Sequence, residues 1–403
     1  METKLPAKLL ETPEGARANQ ILRTCVHCGF CNAACPTYRL TGDELDGPRG
    51  RIYLIKELLE AGQNTERATH HLDRCLTCRA CETVCPSGVA YGELAEIARD
   101  RLGPSRAGLS GFLRGMLRWL VPEASRLRFW ARLGRPFKRF LPTPLAEQIP
   151  VNLGKTLDPT TDKLHERGFA KRVILLQGCA QQVATAEVNL ALQRLLARRG
   201  IGVLLVSEEG CCGALNQHLG AKEQALAEMR RNVERIYPML RHAEAVISTA
   251  SGCGVTVKDY ARLLAHDSAY AERAAAVAEQ TLDIGEYLDR ERLTFTAAER
   301  GAKVAWHPPC TLQHGQGKGA EVESLLIRAG YELVPVVDRE LCCGAAGTYA
   351  VLQSRMASQL RRQKLDNLMA EGPDIIATAN VGCQTHLAAA EKLPVKHWIE
   401  LLN

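Results

Sequence analysis

The sequence predicts a multidomain α+β protein, in which a helix-rich N-terminal domain precedes two copies of an α/β unit with a parallel sheet. The main observation is the distribution of its 16 cysteines, of which eight lie between Cys25 and Cys85 and eight between Cys179 and Cys383. The second observation is that the cysteine pattern of the C-terminal half occurs twice. A pattern repeated in this way indicates a duplicated structural unit.

The composition is that of a soluble globular protein. The 403 residues are 46% hydrophobic and 24% charged, and this length accommodates two or three domains. No continuous apolar run is long enough to cross a bilayer, and Met1 to Arg17 contain no apolar signal-peptide core. We therefore expect the protein in the cytoplasm or on the inner face of the cytoplasmic membrane. In such a reducing compartment, cysteines bind metal or act as redox thiols more often than they form disulfides.

The N-terminal cysteines form two copies of the pattern C-x2-C-x2-C-x3-C-P, offset by 50 residues. Three thiolates spaced in this way can each bind a different iron of one [4Fe–4S] cluster, whereas the fourth points to the other cluster. A pair of zinc sites explains the pattern less well, because zinc needs four ligands and usually takes two C-x2-C pairs. The predicted ligands are Cys25, Cys28, Cys31 and Cys85 for one cluster, and Cys75, Cys78, Cys81 and Cys35 for the other.

The 39 residues between the two cysteine runs indicate more helix than a minimal ferredoxin contains. Apolar residues follow helical spacing from Ile52 to Leu59, and Gly62 is expected to end this helix. The ferredoxin-like domain is predicted to span residues 1–104. It resembles the helix-rich ferredoxin domains of succinate dehydrogenase iron–sulfur subunits.

The next segment, predicted for residues 105–170, is basic and amphipathic. Residues 101–140 contain ten arginines and lysines but one acidic residue, Glu123, and large aromatic residues lie between the basic ones. This composition suits a helix at an anionic membrane surface or an acidic partner, and equally a helical linker that packs on its own domain. Nucleic acid is not expected as a partner, because no nucleic-acid module accompanies the charge. Four prolines then predict an extended connector. They are Pro142, Pro144, Pro150 and Pro159.

The C-terminal half contains two units with the same arrangement of cysteines, predicted to span residues 171–290 and 291–403. In each unit one cysteine is followed after 31 residues by Cys-Cys-Gly, and later by a fourth cysteine. The eight candidate metal ligands are Cys179, Cys211, Cys212 and Cys253 in the first unit, and Cys310, Cys342, Cys343 and Cys383 in the second.

Each unit is predicted to be a parallel sheet flanked by helices. In the first unit, apolar strands at Val173 to Leu176, Val203 to Val206 and Ala245 to Ser248 each lead into a cysteine loop. Because the carboxyl ends of parallel strands share one edge of a sheet, the four thiols of a unit are expected to converge there. Four thiolates are compatible with a third cluster, with a fourth cluster in the other unit, or with zinc.

Several sequence runs resemble the iron–sulfur subunit of bacterial glycolate oxidase (glycolate dehydrogenase). The resemblance implies a membrane-associated complex that oxidises glycolate to glyoxylate. In such a complex FAD-binding partner subunits hold the flavin and the substrate, and this subunit passes their electrons toward quinone. The runs that carry the resemblance are Cys25-Val26-His27-Cys28-Gly29-Phe30-Cys31, Asp46-Gly47-Pro48-Arg49-Gly50-Arg51, His71-Leu72-Asp73-Arg74-Cys75-Leu76-Thr77-Cys78, Trp306-His307-Pro308-Pro309-Cys310 and Cys342-Cys343-Gly344-Ala345-Ala346-Gly347-Thr348-Tyr349.

The C-terminal repeats also resemble the cysteine-rich subunit of heterodisulfide reductase, lactate-utilisation proteins and the iron–sulfur subunit of anaerobic glycerol-3-phosphate dehydrogenase. In the heterodisulfide reductase pattern each repeat ends in C-x2-C, which gives five cysteines around a non-cubane cluster. Here Ala250 and Asn380 replace the first cysteine of that pair. Four thiols per repeat therefore favour a conventional additional cluster.

Other functions are compatible with the same residues. The chain could serve a related lactate or glycerol-3-phosphate dehydrogenase. It could also be a disulfide reductase with the catalytic cluster in its C-terminal half, where His218, His307 and His314 could carry protons. No G-x-G-x-x-G dinucleotide loop and no recognised nucleophile–base motif occurs in the sequence. The isolated chain is therefore expected to transfer electrons without a catalytic site of its own.

Overall fold

The computed structural model describes residues 1–62, 65–150, 153–154, 157 and 168–403. The regular structure of its N-terminal part is helical. Proline occupies the first position of three of these helices, where its fixed φ suits the first turn and its missing N–H costs no hydrogen bond. The helices are α1 (Ala7–Leu10), α2 (Pro13–Thr24), α3 (Phe30–Ala33), α4 (Pro36–Thr41), α5 (Pro48–Ala61), α6 (Glu66–Asp73), α7 (Ala80–Thr83) and α8 (Tyr91–Leu102), with a 3₁₀ helix at Glu44–Asp46.

Helix α5 confirms the helix predicted between the two cysteine runs. Its apolar residues Ile52, Ile55 and Leu59 are buried in a core that includes Leu94 of α8. The helix ends at Gly62, which has φ 66° and donates its N–H to a carbonyl of the last turn. This left-handed conformation is the common way for glycine to end a helix.

The basic segment is largely helical and follows the surface of the other domains. It contains α9 (Gly108–Leu120), α10 (Ala124–Gly134), a 3₁₀ helix at Arg135–Phe140 and α11 (Thr143–Ala146). The structure differs from the predicted extended connector at α11, because Pro144 lies in a first helical turn, where proline is tolerated. Pro159 lies outside the described residues. Across the described part of the chain, no helix combines the length and apolar character needed to span a bilayer.

Two α/β repeats complete the chain. The first contains β1 (Lys171–Leu176), α12 (Gln181–Ala184), α13 (Ala186–Arg198), β2 (Ile201–Leu205), α14 (Ala214–His218), α15 (Lys222–Ile236), a 3₁₀ helix (Tyr237–His242), β3 (Val246–Ser248), α16 (Ser251–Lys258), α17 (Tyr260–Leu263), α18 (Ala271–Gln280), β4 (Thr281–Asp283) and α19 (Ile284–Arg290). The second contains β5 (Lys303–His307), α20 (Cys310–Gln313), α21 (Ala320–Ala329), β6 (Glu332–Leu333), α22 (Tyr349–Leu352), α23 (Ser354–Met369), β7 (Ile375–Thr378), α24 (Val381–Ala388), β8 (Val395–His397) and a 3₁₀ helix (Trp398–Leu401).

Each repeat forms a four-stranded parallel sheet, with the strand orders β2-β1-β3-β4 and β6-β5-β7-β8. The parallel sheets and the three strands predicted for the first repeat are confirmed. The fourth strand of each sheet was not predicted. Strand β4 is only Thr281–Asp283, and its two polar residues give no apolar run that would indicate a buried strand.

The two repeats exchange their terminal helices. Helix α19, which follows the last strand of the first repeat, packs on α21 of the second. The 3₁₀ helix Trp398–Leu401, which follows the last strand of the second repeat, packs on α13 of the first. As a result Tyr287 and Trp398, both fully buried, belong to one apolar core shared by the two sheets.

The ferredoxin-like domain contacts both repeats. Helix α4 packs on α23 of the second repeat, and α8 packs on α14 of the first. Two ion pairs add to the contact with the first repeat, with Arg79 2.9 Å from Asp259 and Arg262 3.0 Å from Glu96. The N-terminal cysteines are therefore held at fixed positions relative to the cysteine loops of the repeats.

The shared core predicts a steric effect at Gly285, the second residue of α19. A Cβ at this position would lie 2.7 Å from Cγ2 of the buried Val322 in α21. We expect Gly285→Ala to lower the free energy of unfolding by about 1–3 kcal/mol, measured by anaerobic denaturant titration, because the core must shift to admit the methyl group. Gly115→Ala is the control. Its Cβ would meet no atom within 4 Å, and alanine in mid-helix should raise stability by about 0.5–1 kcal/mol. Equal effects of the two variants would contradict the packing argument.

Candidate metal centres

The eight N-terminal cysteines lie around two cavities. Pro48, Cys81 and Tyr91 line both cavities, which therefore share a wall. The second cavity is lined by three cysteines of the second run and one of the first, and the first cavity by three cysteines of the first run, by Cys85 of the second and by the shared Cys81. This arrangement is compatible with crossed ligation, in which each cluster takes three cysteines of one run and the fourth cysteine of the other. The cysteines that line the first cavity are Cys25, Cys28, Cys31, Cys81 and Cys85, and those that line the second are Cys35, Cys75, Cys78 and Cys81. The assignment of ligands to clusters stays a prediction.

Each cysteine run bends around its cavity through left-handed residues. His27 and Gly29 have φ angles of 57° and 85°, and at the same positions of the second run Thr77 and Arg79 have φ angles of 53° and 61°. Side chains other than glycine rarely adopt this conformation, so surrounding contacts must hold it in place. The one-turn helices α3 and α7 follow, and each run thereby turns three sulfurs toward one cavity.

Hydrogen-bond donors point at the cysteine sulfurs. The Tyr91 hydroxyl donates to Cys75 Sγ at 3.5 Å, and the backbone N–H of Thr77 donates to the same sulfur at 3.4 Å. The N–H of Val89 donates to Cys85 Sγ at 3.4 Å. Such donors stabilise the negative charge of a thiolate, and they help to set the reduction potential of a cluster bound by it.

A buried arginine lies beside the second cavity. Arg51 is 1% exposed and pairs with Asp46, which is fully buried. Its Nε donates to the backbone oxygen of His71 at 2.9 Å, and its Nη1 points to Cys35 Sγ at 3.9 Å. A second arginine, Arg74, contacts the other oxygen of Asp46 at 2.8 Å. The sequence motifs do not indicate this network, although Arg51 ends one of the runs that carry the resemblance.

The N-terminal thiols fit iron–sulfur clusters. Burial raises the pKa of Cys31 to about 11, and it also raises the pKa values of Cys35 and Cys81. Near neutral pH such thiols keep their protons unless a cation shares their lone pairs. Two groups of four soft sulfur donors, with hydrogen-bond donors aimed at them, are the ligand set that [4Fe–4S] clusters use.

In the first repeat the four thiols converge at the carboxyl edge of the sheet, as predicted. Cys179 follows β1, Cys211 and Cys212 follow β2, and Cys253 lies in α16 after β3. Their side chains interact in sequence, Cys179 with Cys211, Cys211 with Cys212 and Cys212 with Cys253. The contact with Cys211 and burial raise the pKa of Cys179 well above its ordinary value. Beside it, burial raises the pKa of Glu209 to about 7.

The glycine of each Cys-Cys-Gly turn is required by geometry. Gly213 and Gly344 both have φ 91°, in the left-handed region. A Cβ would also lie 3.0 Å from the backbone oxygen of Ala225 at the first site, and 2.8 Å from that of Ala357 at the second. Only glycine lets the turn approach α15 in the first repeat, or α23 in the second, this closely while its two cysteines face the sheet edge.

The four thiols of the second repeat converge in the same way as those of the first, next to the ferredoxin-like domain. Its thiols interact in the order Cys310, Cys342, Cys343 and Cys383, and all four are buried. Cys310 also interacts with Cys78 of the second N-terminal cavity. The contacts with Cys342 and Cys78, together with burial, raise the pKa of Cys310 well above its ordinary value. The second repeat is therefore directly connected to the N-terminal cysteine sites.

Two polar side chains, Lys364 and Asn380, lie beside the thiols of the second repeat, and no sequence motif indicated Lys364. Lys364 of α23 is 2% exposed, donates to the backbone oxygens of Asp338 and Arg339 at 3.0 and 2.8 Å, and lies close enough to the thiols to interact with them electrostatically. Asn380 replaces the cysteine of the five-cysteine pattern, and its Nδ2 donates to Cys383 Sγ at 3.8 Å.

The three candidate proton carriers have different surroundings. His314 contacts the Thr83 hydroxyl at 2.9 Å and the backbone oxygen of Glu340 at 3.1 Å, as expected for a structural residue. His218 is the last residue of α14. His307 ends β5 at the edge where the thiols of the second repeat meet, and is fully buried.

Comparisons with known proteins agree with this architecture. Residues 21–89 match a 4Fe-4S dicluster domain, and residues 173–258 and 304–388 each match a cysteine-rich domain. The chain is 45% identical to the glycolate oxidase iron–sulfur subunit of Escherichia coli, over 100% of this chain and 98% of that protein. It belongs to the glycolate oxidase iron–sulfur subunit family.

One further relative supports the family assignment, and one solved structure supports the fold. The chain is 31% identical to a probable glycolate oxidase iron–sulfur subunit of Bacillus subtilis, over 90% of this chain and 87% of that protein. A hypothetical protein from Helicobacter pylori has a similar structure, with a TM-score of 0.57 and 10% identity, covering 96% of this chain and 71% of that one. At this identity the second comparison shows the fold alone.

Crossed ligation predicts that two double variants differ in iron content. Cys28→Ala with Cys85→Ala removes two ligands of the same predicted cluster, so anaerobically reconstituted protein should lose about four iron atoms per chain. Cys28→Ala with Cys35→Ala removes one ligand from each cluster and should cost about eight. Ser87→Ala, which also lines the first cavity, is the control and should leave iron unchanged. If each run binds its own cluster, the losses from the two double variants will be reversed.

Proposed function

We propose that this chain is the electron-transfer subunit of a membrane-associated complex that oxidises glycolate to glyoxylate, with FAD-binding partner subunits as electron donors and quinone as acceptor. The observation that carries the proposal is the continuity of the cysteine sites. The two N-terminal cavities share a wall, and Cys78 of the second cavity contacts Cys310 of the second repeat. Iron–sulfur clusters bound at such sites would each accept and release one electron.

The protein's own residues are suited to hold this path together. Tyr91 lines both N-terminal cavities and donates a hydrogen bond to Cys75 of the second cavity. Arg51 places a fixed positive charge beside Cys35, which favours the added negative charge of a reduced centre. The ion pair between Arg79 and Asp259 holds the N-terminal sites against the repeats. Electron transfer depends on such fixed separations.

The glycolate assignment predicts a substrate-dependent change in the centres. We expect glycolate to reduce the clusters of the anaerobically purified complex, detected as new EPR signals, because the flavin subunits would pass electrons to this chain. Lactate and glycerol 3-phosphate are the control substrates. Glycolate should give no signal with the isolated chain. If lactate or glycerol 3-phosphate reduces the clusters of the complex and glycolate does not, the substrate assignment is rejected. If glycolate reduces the clusters of the isolated chain, the proposal that partner subunits oxidise the substrate is rejected.

We further propose that the basic segment attaches the complex to an anionic membrane. It exposes large apolar side chains in a surface that we call the aromatic–basic surface. In α9 and α10 the only apolar side chains buried among the described residues are Leu117 and Ala131, so packing on the protein's own domains accounts for few of them. The exposed apolar side chains of the surface are Leu109, Phe112, Trp119, Phe129, Trp130, Leu133, Phe137 and Phe140.

Positive charge accompanies these side chains. The Arg126 guanidinium lies 5.0 Å from the ring centre of Trp119, and that of Arg139 lies 4.7 Å from the ring centre of Phe140. Arg132 and Arg135 are exposed on the same segment. Aromatic rings at the headgroup level with arginines directed to lipid phosphates are the pattern of interfacial helices.

The aromatic–basic surface predicts lipid binding. In co-sedimentation, the protein should bind vesicles that contain phosphatidylglycerol more tightly than purely zwitterionic ones, and salt should weaken binding. Phe112→Ser with Phe129→Ser should lower affinity at least about tenfold, since burying each phenylalanine contributes about 1.5–3 kcal/mol. Ile327→Ser, which removes a similarly exposed residue of the second repeat, is the control. If Phe112→Ser with Phe129→Ser binds vesicles as tightly as Ile327→Ser and the wild-type protein do, the membrane proposal is rejected. A requirement for an acidic protein in place of lipid would also reject it.

A further inference from the structure

The two repeats differ at one position of the sheet edge where the thiols meet. Leu176 ends β1, pairs with Ser248 and precedes Cys179 by three residues. His307 ends β5, pairs with Thr378 and precedes Cys310 by three residues. Strand register and distance to the cysteine therefore make Leu176 and His307 equivalent. The second repeat places an imidazole where the first has an apolar side chain.

The imidazole of His307 has no hydrogen-bond partner among the described residues. The side chain is fully buried, and both Nδ1 and Nε2 are unpaired. Leaving a buried polar group unpaired costs about 1–3 kcal/mol. Other buried histidines of the repeats have partners. For example, His397 contacts the backbone oxygen of Thr249 at 2.8 Å. A buried imidazole nitrogen without a donor keeps a lone pair available to a metal ion.

The unpaired imidazole lies among thiols. One ligand atom each from His307, Cys343 and Cys383 lie within 4.8 Å of one another, and all three residues are buried. Imidazole and thiolate together suit borderline and soft metal ions such as zinc and iron. A leucine at the equivalent place in the first repeat offers no lone pair. The donor sets of the two repeats are therefore chemically different.

We propose that His307 is a metal ligand in the second repeat, together with Cys343 and Cys383, whereas the first repeat offers thiolates only. The ion is either an iron of a cluster or a zinc ion. This inference rests on the proposal that the cysteines of the second repeat bind metal. Because Cys310 contacts Cys78, the nitrogen-ligated centre is the one adjacent to the N-terminal sites.

The test compares four single variants of the full-length chain, reconstituted anaerobically with iron and sulfide or with zinc. Cys343→Ser removes a thiolate of the proposed site. His307→Leu introduces the residue that the first repeat accommodates at this position. His307→Cys keeps a ligand atom but removes the nitrogen. His314→Leu removes a histidine near Cys310 whose ring nitrogens already have partners. Iron, zinc and sulfide per chain are measured, and the circular dichroism spectrum of each variant is recorded to check its fold.

We expect wild-type protein and His314→Leu to show strong hyperfine coupling to an imidazole nitrogen in pulsed EPR of the reduced centre. If the site selects zinc, Co²⁺ substitution should give d–d bands of mixed nitrogen and sulfur ligation. His307→Leu should lose these signatures and bind metal at this site at least roughly tenfold more weakly, the lower bound for losing even an outer hydrogen-bond partner. His307→Cys should recover the metal without the nitrogen signature.

Two results distinguish failure of the histidine-ligand inference from failure of the proposal that the cysteines of the second repeat bind metal. Unchanged spectra and metal content in His307→Leu, with metal lost in Cys343→Ser, would overturn the histidine ligand alone. Unchanged metal in Cys343→Ser would overturn metal binding by the second repeat, and with it the inference.

Discussion

A thiolate inside a protein needs positive charge beside it, and this requirement governs every cysteine site of the chain. Burial, together with the charge of neighbouring cysteines, holds the proton on groups such as Cys31 and Cys81 by raising their pKa values. A bound metal meets the requirement directly. The protein adds two fixed cations of its own, Arg51 beside Cys35 in the ferredoxin-like domain and Lys364 beside the thiols of the second repeat. Both are almost fully buried, and both are anchored by backbone oxygens.

Two kinds of local structure bring the sulfurs together. In the N-terminal domain, left-handed residues such as His27 and Thr77 wrap each run around a cavity, and the fourth cysteine reaches the neighbouring one. In the repeats, parallel strands deliver cysteines from separate loops to one sheet edge, and Gly213 and Gly344 allow the central turn to lie against a helix. Sequence spacing controls the first arrangement, and sheet topology controls the second.

The sequence predicts this architecture well where a pattern is local or repeated. The duplicated cysteine runs, the helix that ends at Gly62 and the parallel sheets all follow from spacing and periodicity. Residues that act across long separations were not predicted. Arg51 is one charged residue among many, and only the fold shows that it is buried beside Cys35. The contact between Cys78 and Cys310 joins two domains, and no periodicity records it.

The same dependence on long-range contacts explains why the sequence did not predict a metal ligand at His307. Its position near Cys310 suggested a role in proton transfer, because sequence proximity is all that the motif shows. The fold adds that both ring nitrogens are buried without a partner among the described residues and that Leu176 takes the equivalent place in the first repeat. Burial and hydrogen bonding, which depend on the whole fold, changed the interpretation from an acid–base group to a ligand.

The exchanged helices have an evolutionary consequence. Since α19 covers the second repeat and Trp398–Leu401 covers the first, neither repeat alone buries the residues that it contributes to the shared core. A primordial protein with a single repeat would have exposed that apolar face to water. A symmetric homodimer in which each subunit lent its last helix to the other would bury that face. Gene fusion would then have converted this dimer into one polypeptide and freed its halves to diverge, so that the sheet edge now has leucine in one repeat and histidine in the other.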